Sequence, residues 1–381
     1  MISFKNLFKS LFILAVFAGA VYYSIGIIQH RQNIMSFEEY EPTSSLVVEQ
    51  NITKKAKFPF VDVHSHLWDT PVRDLDKLVG EMDELNMAYI VNLSGSGFGP
   101  QAAKDLYLNE SLKNIAENQP GRIGLFVNVD FNSVDNEKDV ETQVNIIRDA
   151  VAKGAIGLKV YKSLGLTNKD SKGNRVAVDD PRLGPIWDVC GELGIPVLIH
   201  SADPFPFWQP KDEKNERWYE LKEKPNRFYG ESDFIPPFED IIGEQHRMFK
   251  RHPNTTFINA HLGWLAHDLN RLGRHLDEHP NVVTEFGAVI AELGRQPIAA
   301  RKFMIKYQDR IMFGKDTYKK EEYYLYFRVL ETNDEYFNYF RKRHAFWKMY
   351  GLGLPDEVLK KIYYENALNL FPSISRKLIL K

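Results

Sequence analysis

The sequence predicts an α/β fold: a TIM-type (β/α)8 barrel, with an N-terminal membrane-anchor helix and a C-terminal helical extension. Three observations predict it. Between residues 58 and 318, eight short apolar runs alternate with stretches whose apolar residues recur at helical spacing. Such alternation implies parallel strands joined by helical crossovers. A count of eight in this length favours a closed barrel over an open sheet. The metal-competent side chains also fall at the C-terminal ends of those runs, where barrels of this type assemble their active sites.

In chain order, the uncharged stretch Leu11–Ile28 comes first, preceded by Lys5 and Lys9. Its length is at the short end of a bilayer span and above a usual signal-peptide core. Residues 1–30 therefore read as an uncleaved anchor, with a cleaved signal as the alternative. The positive-inside bias then puts the body of the chain outside, tethered to the membrane. Residues 31–57 are polar and read as a linker. The first strand is Phe60–Leu67. Strict alternation puts Val61, Val63, Ser65 and Leu67 on one side and Asp62, His64 and His66 on the other. A helix through Leu75, Leu78, Val79, Met82 and Leu85 leads to strand Ala88–Asn92. Gly95, Gly97 and Gly99 follow at G-x-G-x-G rather than dinucleotide spacing, and read as a strand-to-helix loop. Strands at Gly124–Val129, Ile156–Val160, Val197–His200, Thr256–Ala260, Val282–Phe286 and Ile311–Phe313 complete the set, with helices between them. The aromatic, proline-rich stretch 201–237 is long enough to suggest function. Residues 319–381 read as helices packed on the barrel.

Composition narrows the function. The chain is 44% hydrophobic and 26% charged. A net charge of -2 gives no drive toward nucleic acid. The single cysteine, Cys190, excludes an intramolecular disulfide and any multi-Cys metal cluster. The histidines carry the remaining signal. His64 and His66 end the first strand, His200 the fifth, His261 the sixth, and Asp316 lies just past the eighth. Five such groups converge on one rim of a barrel. His275 and His279, four apart, could also bind metal but lack the intervening Glu of H-E-x-x-H.

The order H-x-H, His, His, Asp on eight β/α units resembles the amidohydrolase superfamily, and more narrowly its amidohydrolase 2 branch, which contains aminocarboxymuconate-semialdehyde decarboxylase. FVDVHSHL, IPVLIHSADP, TTFINAHLGW, DRIMFGKDTY and YYENALNLF carry the resemblance, over about residues 58–371. It implies that His64, His66, His200 and Asp316 hold one divalent metal, and that His261 and Asp316 serve catalysis. Imidazoles and a carboxylate suit Zn²⁺, with Mn²⁺ or another ion as alternatives. An ion of this kind makes water nucleophilic near neutral pH. Asp62 reads equally as a locally satisfied carboxylate or as an orienting one.

Lys159 on the fourth strand reads three ways: a carboxylated bridge between two metals, an anchor for an anionic substrate, or a salt-bridged rim residue. Arg295, Lys315, Trp68, Trp208 and Trp264 are candidate substrate contacts, the aromatics reading equally as packing for the long loop. The leading reading is a metal-dependent hydrolase opening an amide, lactone or related carbonyl-derived bond of a small molecule. A non-oxidative decarboxylase using the same site is the alternative, followed by a tethered binding protein on a catalytically dead barrel. A homo-oligomer stays open.

Overall fold

The computed structural model describes residues 4–32, 34–95 and 99–379, so Gly97 of the glycine-spaced loop lies outside them. The chain forms two compact units, residues 1–48 and 49–381. The first holds a helix, Phe4–Gln32. Among the described residues, no helix is long and apolar enough to cross a membrane. This overturns the expected membrane-anchor helix and the tethered, exported location. The uncharged run Leu11–Ile28 of the sequence is broken by Gly19, Tyr22, Tyr23, Ser24 and Gly26, and its length is at the short end of the roughly 20 apolar residues that a span needs.

The second unit is built on nine parallel strands: β1 (Phe60–His66), β2 (Met87–Asn92), β3 (Ile123–Val127), β4 (Gly157–Val160), β5 (Val197–Ile199), β6 (Phe257–Asn259), β7 (Val282–Glu285), β8 (Ile311–Met312) and β9 (Asp316–Thr317). Their order is β8-β7-β6-β5-β4-β3-β2-β1-β9. β8 and β9 are two halves of one broken eighth strand. Val63 N donates to Phe313 O at 3.0 Å, and β9 pairs with β1. The sheet thus closes on itself, as the eight-fold alternation predicts.

Inside the barrel, Tyr89, Val91, Phe126, Leu198, Ile258 and Met312 form one buried cluster with Val61 and Val63. Ala367, Leu368, Phe371 and Ile374 of the C-terminal segment join it, with Phe126 and Phe371 ring centroids 6.0 Å apart. Outside, Phe60 is ringed by Phe313, Tyr323, Phe327 and Tyr363 at centroid distances of 4.7–6.0 Å. Burying a Phe this way contributes about 1.5–3 kcal/mol.

The first strand departs from strict alternation. The β1–β2 register shifts between Asp62 and Ser65. Such a shift moves the following side chains to the other face. Val61 and Val63 therefore fill the interior, yet His64 still reaches the mouth. Asp62, expected beside the histidines, points instead to the helix Lys320–Glu331, where Tyr323 donates its hydroxyl at 2.6 Å.

Candidate functional site: a histidine cluster at the barrel mouth

His64 is fully buried. Its Nδ1 lies 2.8 Å from Glu285 Oε1 at the end of β7. A carboxylate can only accept, so Nδ1 carries the proton and Nε2 the lone pair. That Nε2 makes no hydrogen bond and lies 3.3 Å from Asp316 Oδ1. His66 Nδ1 sits 2.8 Å from Ser94 Oγ, and its Nε2 lies 3.6 Å from the same Asp316 oxygen. One ligand atom from each of His64, His66 and Asp316 falls within 4.8 Å of the others.

The broken eighth strand aims Asp316 at the histidines, at a φ of 88°. A non-glycine residue held there costs of order 1–3 kcal/mol and needs its surroundings to enforce it. Gly314 is part of that enforcement: a Cβ at this position would collide with the Glu285 carboxylate and crowd His64.

His261 opens a left-handed turn, with φ of 58° at His261, 56° at Leu262 and 58° at Gly263. Its backbone N–H donates to Glu285 Oε1 at 2.7 Å, and its Nδ1 lies 2.7 Å from Gly287 O. The carbonyl fixes Nδ1 as donor, so Nε2 accepts from His200 Nδ1 at 3.2 Å. His200 Nε2 is then left with its lone pair, buried and without a hydrogen bond, 3.8 Å from Asp203 Oδ1. His200 thus lies outside the tight three-residue set and reaches it through His261. This departs from the expected four-ligand arrangement, because His200 turns one nitrogen to His261 and the other toward Asp203.

The electrostatics follow from burial and pairing. Burial lowers His200 to about 3 and His261 to about 4, and holds His66 well below its ordinary value. His64 is the exception: burial alone would lower it, but Glu285 and Asp316 raise it. Burial alone would raise Glu285, yet His64 and His261 hold it at about 2. Asp316 is likewise held well below the carboxylate range, mainly by His64 against the effect of burial. His64 Nε2 and Asp316 Oδ1 thus face each other across 3.3 Å with no room for two bare lone pairs. A proton or a cation must lie between them. The donor set fits a divalent ion, and the Glu285–His64 pair is the carboxylate–histidine arrangement that orients metal-binding imidazoles.

Lys159 on β4 is buried and its Nζ has no hydrogen-bond partner. Burial lowers its pKa to about 8, against the pull of Asp316 and Glu285. Trp68 stacks on His66 at 5.3 Å between centroids, with Tyr161 5.7 Å from His66 on β4's loop. Trp264 packs 4.7 Å from His261 and 5.3 Å from His200.

Three expected contacts are placed elsewhere. Arg295 is held by Glu216 at 2.7 Å and Glu292 at 2.6 Å, over the Trp347 ring. Lys315 is buried with its Nζ on Glu322 at 2.7 Å and on Thr317 O. Trp208 donates to Pro236 O at 2.9 Å and packs on Tyr229 and Phe238, pinning the long loop to itself. Both cations are thus paired with carboxylates, and the indole N–H is spent on a backbone carbonyl. Asp62 accepts from Tyr323, His64 N and Lys315 N, and burial lifts it to about 7, so it is a locally satisfied carboxylate.

Sequence reasoning missed Glu285, Ser94 and Asp203. Asp203 holds Lys162 Nζ and Tyr229 OH, each at 2.6 Å. Glu285 had a readable signal: it ends an apolar strand, as His200 follows one. Ser94 had none, since only the fold sets β2's end beside His66.

A family model described as Amidohydrolase matches residues 61–373. No curated protein matches by sequence. Among solved structures, 2,6-dihydroxybenzoate decarboxylase from Rhizobium is similar at a TM-score of 0.54 and 14% identity, over 83% of this chain and 99% of that one. A dihydroxybenzoic acid decarboxylase from Polaromonas, with bound manganese and the inhibitor 2-nitroresorcinol, is similar at 0.53 and 14%, over 85% and 100%. A putative amidohydrolase from Staphylococcus aureus is similar at 0.54 and 16%, over 83% and 100%. At these identities the likeness is one of fold.

Proposed function

The chain belongs to the amidohydrolase family, and from that premise we propose that it is a metal-dependent hydrolase opening an amide, lactone or related carbonyl-derived bond of a small molecule. The observation that carries this reading is the convergence of His64, His66 and Asp316, with a lone pair on His64 Nε2 facing Asp316 Oδ1 at 3.3 Å. Two imidazoles and a carboxylate suit Zn²⁺ first and Mn²⁺ second. When bound, such an ion would supply Lewis acidity toward a carbonyl oxygen and a lowered pKa for water.

The protein's own groups do the rest. Glu285 holds the His64 ring in one tautomer, and Ser94 holds the orientation of the His66 ring. Asp316 takes the proton that attacking water gives up. His261, neutral through burial and with its Nδ1–H fixed on Gly287 O, has a bare Nε2 that receives this proton from Asp316 and passes it to the leaving group. His200 Nδ1–H steadies that nitrogen between turnovers. Trp68, Tyr161 and Trp264 wall the mouth and limit water.

Lys159 favours a second reading, non-oxidative decarboxylation. A buried ammonium with no hydrogen-bond partner beside the three-residue set suits a substrate carboxylate. Metal analysis of the purified protein, then assay of lactones, amides and aromatic acids in ¹⁸O-water, separates the cases. Label in the product supports hydrolysis, and CO₂ release without label supports decarboxylation. Absence of any divalent ion, with no activity gained on adding Zn²⁺ or Mn²⁺, overturns both.

A further inference from the structure

Away from the barrel mouth, a second group of histidines plays no part in this chemistry. Helix Phe238–Arg251 carries His246; helix Leu269–Glu278 carries His275, with His279 just past its end. His275 and His279 share a face because they are four apart. The fold sets His246 against both, with ring centroids 3.5 Å from His275 and 5.0 Å from His279. His279 Nε2 lies 3.2 Å from His246 Nδ1. One ligand atom from each of His246, Glu278 and His279 falls within 4.8 Å of the other two. A tetrahedral Zn²⁺ with bonds of about 2.0–2.1 Å sets its ligand atoms roughly 3.3 Å apart. The two imidazoles are therefore spaced as two corners of such a site.

A plain imidazole–imidazole hydrogen bond is the competing account. It serves the His246–His279 contact, but His246 Nε2 and His275 Nδ1 are also buried there with no hydrogen-bond partner. Burial lowers all three rings, His246 to about 3 and His275 to about 4, so each offers a lone pair at neutral pH. Glu278 is exposed and gives a charged oxygen and a route in from solvent.

We infer that His246, Glu278 and His279 form a second divalent-cation site of the Zn²⁺ type, with His275 packed on the His246 ring. The site is structural. It clips together the two helices that flank β6, the strand that presents His261. It stands independently of the reaction proposed for the barrel mouth.

Zn²⁺ alone is the probe. In the full chain carrying His64→Ala and His66→Ala, about one equivalent of Zn²⁺ is retained after dialysis, and adding Zn²⁺ raises Tm. Adding His246→Gln and His279→Gln abolishes both effects. Retention of no Zn²⁺ by the first variant, or retention that survives the second pair of changes, overturns the site. Where the first variant does not fold, the otherwise unmodified chain carries the test. Bound Zn²⁺ then falls by about one equivalent in His246→Gln/His279→Gln, and an unchanged stoichiometry overturns the proposal.

Discussion

The barrel mouth and the outer helix pair both gather histidines, yet they are built differently. At the mouth three of the four rings have one nitrogen held by a partner that is not a histidine: Glu285 for His64, Ser94 for His66 and Gly287 O for His261. In the outer cluster the rings meet mainly one another, and His246 Nε2 and His275 Nδ1 go unserved. The first arrangement determines which atom of His64 and of His261 is available and orients His66, as acid–base chemistry and metal orientation require. The second supplies only proximity, which is enough for a structural cation. Orientation by a fixed partner is what separates a reactive histidine from a clustered one.

The comparison breaks first at Asp316. Asp316→Asn should lower kcat/KM by about 10³-fold or more, roughly 4 kcal/mol of barrier, with the far-UV circular dichroism unchanged. A loss under tenfold would place the chemistry elsewhere. Next is Glu285→Gln, which frees the His64 ring without touching a ligand atom. Metal affinity should fall about 10–100-fold, read by chelator competition; unchanged affinity would mean that burial alone orients the ring. Lys159→Met sharpens the substrate side: KM for carboxylate-bearing substrates should rise about tenfold or more with kcat little changed, and equal effects on neutral substrates would remove Lys159 from recognition.

A histidine belonging to neither cluster supplies the smallest effect. Burial, with Arg217 and Arg341 nearby, lowers His344 to about 3. The folded chain keeps it neutral, while the unfolded chain takes up a proton below about pH 6.5. Its contribution therefore makes stability fall as pH drops from about 6.5 toward 3. His344→Gln should recover on the order of 1 kcal/mol at pH 5 relative to pH 7.5, seen as a smaller gap between the two Tm values. An unchanged gap would place the acid sensitivity in the histidine clusters.

Much of the site was legible because its residues sit where the strand pattern ends. His64, His66, His200, His261 and Asp316 close four of the eight apolar runs, and a closed parallel barrel brings those ends together whatever the details. For the candidate contacts Arg295, Lys315 and Trp208, sequence shows a cation or an indole near a strand end, but not its partner. Glu216, Glu292 and Glu322 lie 79, 3 and 7 positions away along the chain and still reach these cations.

By itself, then, the sequence determined the eight-fold alternation and the metal-competent set, because periodicity and residue chemistry are local properties. Tertiary structure decided the rest. The register shift within β1 turned Asp62 away from the histidines. The break in the eighth strand aimed Asp316 inward at a φ that local preference disfavours. Packing of two helices brought His246 to the pair His275 and His279. Each of these depends on which atoms meet across the fold, and no local pattern encodes that.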